Sequence, residues 1–86
     1  MSVDINTVVV QQTSSSLSEV AQTIARAIEM ARDAQTAIQG YQSEERAPQI
    51  KSLLTQLLEA APQIQGRVQN FSEFLSEVAT TYNRMG

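Results

Sequence analysis

Apolar side chains recur alternately three and four residues apart along most of this chain, with one polar break near its middle. That spacing lines up residues on one side of an α-helix. The first stripe reads Val10, Thr13, Leu17, Val20, Ile24, Ala27, Ala31, Ala34 and Ile38, and only Thr13 is not apolar. The second reads Leu54, Leu57, Ala61, Ile64, Val68, Phe71, Leu75, Val78, Tyr82 and Met85, where Tyr82 alone carries a polar tip. Two sustained heptad seams predict an all-α chain. The polar stretch from Gln39 to Pro48 predicts that they belong to separate helices.

Local chemistry predicts where those helices begin and end. Asn6 or Thr7 suits a first N-cap, because a short polar side chain accepts bonds from unpaired backbone N–H groups. Ser14, Ser15 or Ser16 offers an alternative start. Gly40 follows Ile38, where a helix end often takes a left-handed residue. Ser43, Glu44 and Glu45 suit the next N-terminus, since acidic residues offset the helix dipole there. Pro48 is tolerated only in a first turn. The expected elements are helix 1 over about 7–39, a turn over about 40–46 and helix 2 over about 47–84, in one domain spanning 1–86. Pro62 either splits the second helix or kinks it. The stripe passes from Ala61 to Ile64 without a skip, which favours one helix kinked near Pro62.

Helices of about 33 and 38 residues span roughly 50 and 57 Å. A short polar turn makes them antiparallel neighbours. Their apolar faces are wider than one mutual seam. Ala21 and Ile28 widen the first on one flank, and Val9, Met30 and Ala37 on the other. Ile50, Leu53, Leu58, Phe74 and Ala79 broaden the second. Burying one large apolar side chain stabilises by about 1.5–3 kcal/mol. Leaving Ile28, Met30, Leu53, Leu58 and Phe74 in water would forfeit much of a small domain's stability. These five are therefore the expected partner interface, and the expected assembly is a dimer of hairpins forming a four-helix bundle. In this arrangement Phe71 is internal and Phe74 the outward anchor.

Composition narrows the function. Six basic residues stand against nine acidic ones, a net charge of −3, and the cations are scattered singly. Binding nucleic acid or anionic lipid needs several converging cations. The chain has no Cys and no His, which removes disulfides, zinc sites, thiol nucleophiles and imidazole bases. Glu44 and Glu45 have no apolar pocket to raise a pKa. Ser14, Ser15, Ser16 and Ser18 have no nearby base to activate a hydroxyl and read as helix surface or caps. No enzymatic activity and no cofactor or metal is expected. Val8-Val9-Val10 is the longest apolar run near the start, too short for a signal peptide core or a membrane span.

The length, the paired heptad helices and three local features resemble the small WXG-motif (ESAT-like) proteins of bacterial type VII secretion. Ile38-Gln39-Gly40 stands where that family places Trp-x-Gly. The run Phe74-Leu75-Ser76-Glu77-Val78-Ala79-Thr80-Thr81-Tyr82 resembles the family's ending. Pro62 matches a mid-helix proline of several members. Ile38 departs from the signature Trp, and Gly86 stands four residues after Tyr82 where an acidic residue often completes the export tail. A Tyr-x-x-x-Glu match at Tyr41 to Glu45 falls in the turn and is read as coincidence.

The resemblance implies a helical-hairpin protein made in the bacterial cytoplasm and secreted without a cleavable signal peptide. It would serve as substrate or as secretion partner and chaperone. Implied partners are another hairpin and the secretion ATPase. The other hairpin would be a second copy, a related small protein or the helical N-terminal domain of a larger effector. Ile38, Gln39 and Gly40 become a turn motif, against the plainer reading of a last core residue and a cap. Tyr82 becomes part of an export signal, against that of a seam residue. Two rival functions remain. A structural subunit such as a type III secretion needle-like hairpin would form filaments, and an intracellular coiled-coil adaptor would stay in the cell.

Overall fold

The computed structural model describes residues 6–41 and 45–85, apart from the side chains of Tyr41 and Met85. Helix α1 runs Thr7–Ile38, a single 3-10 turn follows at Gln39–Tyr41, and helix α2 runs Ala47–Met85. The two helices pack against each other as a hairpin, and the chain measures 67 × 18 × 13 Å.

Asn6 begins α1. Its backbone is extended, and its Oδ1 accepts from the N–H groups of Val8 at 3.1 Å and Val9 at 3.2 Å. Two donors that lack helical partners are thereby satisfied, which is the function of a cap. The other end corrects the expectation for Gly40. No described glycine has a positive φ. Instead the Gln39 N–H turns toward the carbonyls of Thr36 and Ala37, and the chain tightens into the 3-10 turn. A tightened last turn satisfies terminal carbonyls without a left-handed residue.

Helix α2 starts at Ala47, with Pro48 in its first turn, where no intrahelical amide is needed. The Ile50 N–H donates to the Arg46 carbonyl at 3.1 Å. Ser43 and Glu44, expected to help start this helix, lie outside the described residues. Pro62 sits inside α2 without dividing it. It removes the amide that would otherwise bond the Leu58 carbonyl.

With Val10, Leu17, Ile24, Ala31 and Ile38 as heptad position a of α1, the residues facing α2 are these together with position e: Thr7, Ser14, Ala21, Ile28 and Gln35. In α2 the facing residues are a (Ala47, Leu54, Ala61, Val68, Leu75, Tyr82) and e (Lys51, Leu58, Gln65, Ser72, Ala79). The expected seams used positions a and d; their a residues are seam residues, while most of their described d residues are not. Val20, Ala27 and Ala34 of α1, and Leu57, Ile64 and Phe71 of α2, face away and are exposed. Phe71, expected inside, is 52 % exposed.

The reason is steric. Toward the end of the hairpin away from the turn, position e carries small residues at matching levels of both helices, Ser14 with Ser72 and Thr7 with Ala79. Ser14 and Ser72 are each 5 % exposed. Ser14 Oγ donates to the Ser72 carbonyl at 2.7 Å, and Ser72 Oγ donates to the Ser14 carbonyl at 2.7 Å. Such reciprocal bonds need the two backbones in close approach, and only small side chains at the crossing permit it. Phe71, Ile64 or Leu57 in that position would hold the axes apart. Ser14 is therefore neither a cap nor helix surface.

The serine pair fixes the register. Seven-residue steps from it place Ala21 level with Gln65, Ile28 with Leu58, and Gln35 with Lys51. Between these layers Leu17 lies level with Val68, Ile24 with Ala61, Ala31 with Leu54 and Ile38 with Ala47. Ala21 with Gln65, Ile24 with Ala61, Ala31 with Leu54 and Ile38 with Ala47 each set a large residue against a small one, which suits closely spaced helices, while Ile28 with Leu58 and Leu17 with Val68 pair larger side chains.

Candidate helix-docking face

A hairpin of two helices is one layer thick, so only the seam is shielded. Among the described residues its buried apolar members are Ala21, Ile28, Ala31, Ala47 and Ala79, and no large side chain is fully enclosed. Much of the apolar content therefore lies outside the seam. The large exposed apolar residues are Val8, Val9, Val20, Met30, Ile50, Leu53, Leu57, Ile64, Phe71 and Phe74. All except Val8 stand at heptad positions d or g.

Helix geometry gathers these positions onto one side of the molecule. Position d lies about 80° around the helix from the centre of an a/e seam, and g about 140°. The two helices face each other and run in opposite directions. Facing reverses left and right, and running backward reverses the sense of rotation. The two reversals cancel, so d and g of both helices share one broad side. That side is also nearly free of charge. Every charged residue in the two helices except Arg67 occupies position b, c, e or f. Large exposed apolar patches of this kind are where proteins bind partners or ligands.

The five expected interface residues divide. Met30 at 71 % exposure, Leu53 and Phe74 are open and lie at g on this side. Ile28 is 6 % exposed and Leu58 half-buried. Both stand at e, inside the hairpin seam, and they lie level with each other, so they are not available to a partner. The face also contains residues that sequence reasoning had assigned to the core: Val20, Leu57, Ile64 and Phe71. The small residues at e in both helices were the available sign that e, and not d, points inward.

At the turn, Ile38 is half-buried at the last a position while Gln39 and Gly40 are exposed. Tyr82 is half-buried in the seam at the opposite end. Beside it a groove of about 340 Å³ is lined by Thr7, Val8, Gln11, Gln12 and Asn83, none of them titratable. The hydroxyls of Thr13, Thr23, Thr36 and Thr80 each donate to a carbonyl four residues back in their own helix. Among the described residues no three His, Cys, Asp or Glu side chains come together to hold a metal ion. Among them, too, no helix is long and apolar enough to cross a membrane.

Compared with known proteins, the chain matches no family model, no curated protein and no solved structure.

Proposed function

We propose that this chain is a non-enzymatic helix-binding protein that docks its d/g side onto another helical hairpin to complete a four-helix bundle. One observation carries the reading: among the described residues of the two helices, the exposed large apolar ones, Val8 apart, fall on one side of the hairpin and the charged ones, Arg67 apart, fall elsewhere. A second pair of helices is the natural cover for a flat, two-helix apolar face some tens of ångströms long. The hydroxyls of Thr13, Thr23, Thr36 and Thr80 bond to their own helices and those of Ser14 and Ser72 to each other's backbone, which agrees with this reading.

The biological setting we propose is bacterial type VII secretion, with the chain as substrate or secretion partner. The supports are the resemblance in length and hairpin form, and Ile38-Gln39-Gly40 at the end of α1, where Gln39 and Gly40 stand open to a recognition partner. The test is export. Culture medium and cell pellet are compared with and without the secretion ATPase, alongside a cytosolic marker. The protein is expected in the medium only when the ATPase is present, and in reduced amount for Tyr82→Ala. Retention in the pellet with the ATPase intact would favour an intracellular adaptor and end the secretion reading. Growth of filaments from the purified chain would favour a structural subunit.

A further inference from the structure

We infer that the d/g face is covered by a second copy of this same chain, with the two turns at the same end of the bundle. The inference rests on the helix-binding reading and adds to it the occupant and the orientation.

The first argument is area. A compact folded chain of this mass exposes about 5,000 Å², whereas this hairpin exposes 6696 Å². The excess of about 1,700 Å² per chain, doubled for two copies, falls within the about 2,000–5,000 Å² buried by obligate homodimers. A second copy is large enough to remove it.

The second argument is shape. The face is asymmetric: α2 contributes large residues at d and g, and α1 contributes mostly small ones at d. Two hairpins stacked face to face have two symmetric choices. With the turns at opposite ends, α2 lies on α2 and α1 on α1. Ile, Leu and Phe then meet Ile, Leu and Phe along one side, while Thr and Ala meet Thr and Ala along the other. Such a bundle has unequal helix spacings or voids, and voids destabilise. With the turns together, α2 of each copy lies on α1 of the other, and each residue keeps the level it has in its own hairpin. Ala34 then falls level with the gap between Ile50 and Leu53 of the second copy, Ala27 with that between Leu57 and Ala60, and Thr13 with that between Phe71 and Phe74. At these three levels a small residue faces a large one, while Val20 falls level with the gap between Ile64 and Arg67 of the second copy.

The third argument is charge. Arg67 is the one charged residue at positions d and g of the described helices, and it stands at the middle of α2. Fully overlapped hairpins with turns at opposite ends bring Arg67 beside its own counterpart, and like charges in contact are unfavourable. With the turns together, Arg67 reaches the rim level with Glu19 of the second copy.

The chain has no cysteine, so Gln39→Cys carries a single spin label at the exposed turn. Pulsed electron spin resonance then reads the distance between turns in the full-length protein. The expected result is a distance of about 10–25 Å, the spacing of neighbouring helices plus label linkers. A distance of about 50 Å, the length of α1, would overturn the orientation while leaving helix binding intact. Absence of any dipolar signal, with a monomer by sedimentation, would overturn self-pairing, and the export assay then decides the broader reading separately. As a second variant, Arg67→Glu should weaken pairing by about two- to thirty-fold, since two-fold symmetry makes this exposed ion pair twice. Glu19→Arg added to it should restore the affinity. Failure of that rescue would also count against the turn-to-turn arrangement.

Discussion

Ser14→Leu tests the seam. In the hairpin, Ser14 Oγ lies 2.7 Å from the Ser72 carbonyl oxygen, and Ser72 Oγ lies 2.7 Å from the Ser14 carbonyl oxygen. A leucine side chain has no room between backbones held this close. Each lost neutral hydrogen bond costs about 1 kcal/mol. Forcing a larger side chain into a packed site costs about 1–3 kcal/mol more. The expected loss is therefore about 2–4 kcal/mol, a large share of the roughly 4–13 kcal/mol typical for a domain of this length. If the helices could part to accept it, leucine would instead add about 1.5–3 kcal/mol of apolar burial, so the sign of the effect is diagnostic. Urea unfolding followed by circular dichroism at 222 nm should show the midpoint falling by about 2 M or more, given a slope near 1 kcal/mol per molar for a small protein. Ser14→Ala should cost only about 1 kcal/mol. Repeating the titration over a range of protein concentrations separates hairpin stability from association. An unchanged or raised midpoint for Ser14→Leu would place the close crossing elsewhere and refute the a/e seam.

Other expected outcomes follow from the same geometry. Ala79 is 1 % exposed, so Ala79→Glu buries an unpaired charge and should unfold the chain, read as loss of the helical signal. Gly66 has nothing within 4 Å of an added Cβ, so Gly66→Ala should raise stability by about 1 kcal/mol in thermal unfolding. Asn6→Ala should lose about 1 kcal/mol by removing the bonds to Val8 and Val9, while Asn6→Asp should retain most of it. Hydrogen exchange of the α1 amides next to position 6 would check the cap locally.

The element boundaries were legible in the sequence because they are set by chemistry within one turn. Asn6 caps the helix that follows it, and Pro48 admits only a helix start. The hairpin was legible from the two stripes and the polar break. The rotation of each helix was not. Positions a, d and e all carry apolar residues, and the a/d and a/e stripes have the same three-four rhythm. The choice between them depends on both helices at once. Ser14 alone reads as a surface residue, but Ser14 opposite Ser72 becomes a reciprocally bonded contact across the seam. The same ambiguity put Phe71 on the wrong side and made Ile28 and Leu58 look available. Gly40 misled for a different reason: a 3-10 turn and a left-handed cap both end a helix, and both tolerate glycine.

We propose that the hairpin leaves its larger apolar face for another pair of helices. Sedimentation equilibrium on the wild-type chain and on a Leu57→Glu, Phe71→Glu variant measures this most directly. The predicted result is twice the single-chain mass for the wild type, and a monomer of unchanged helical content for the variant. A wild-type chain with the mass of one molecule at every concentration, indistinguishable from the variant, would contradict it.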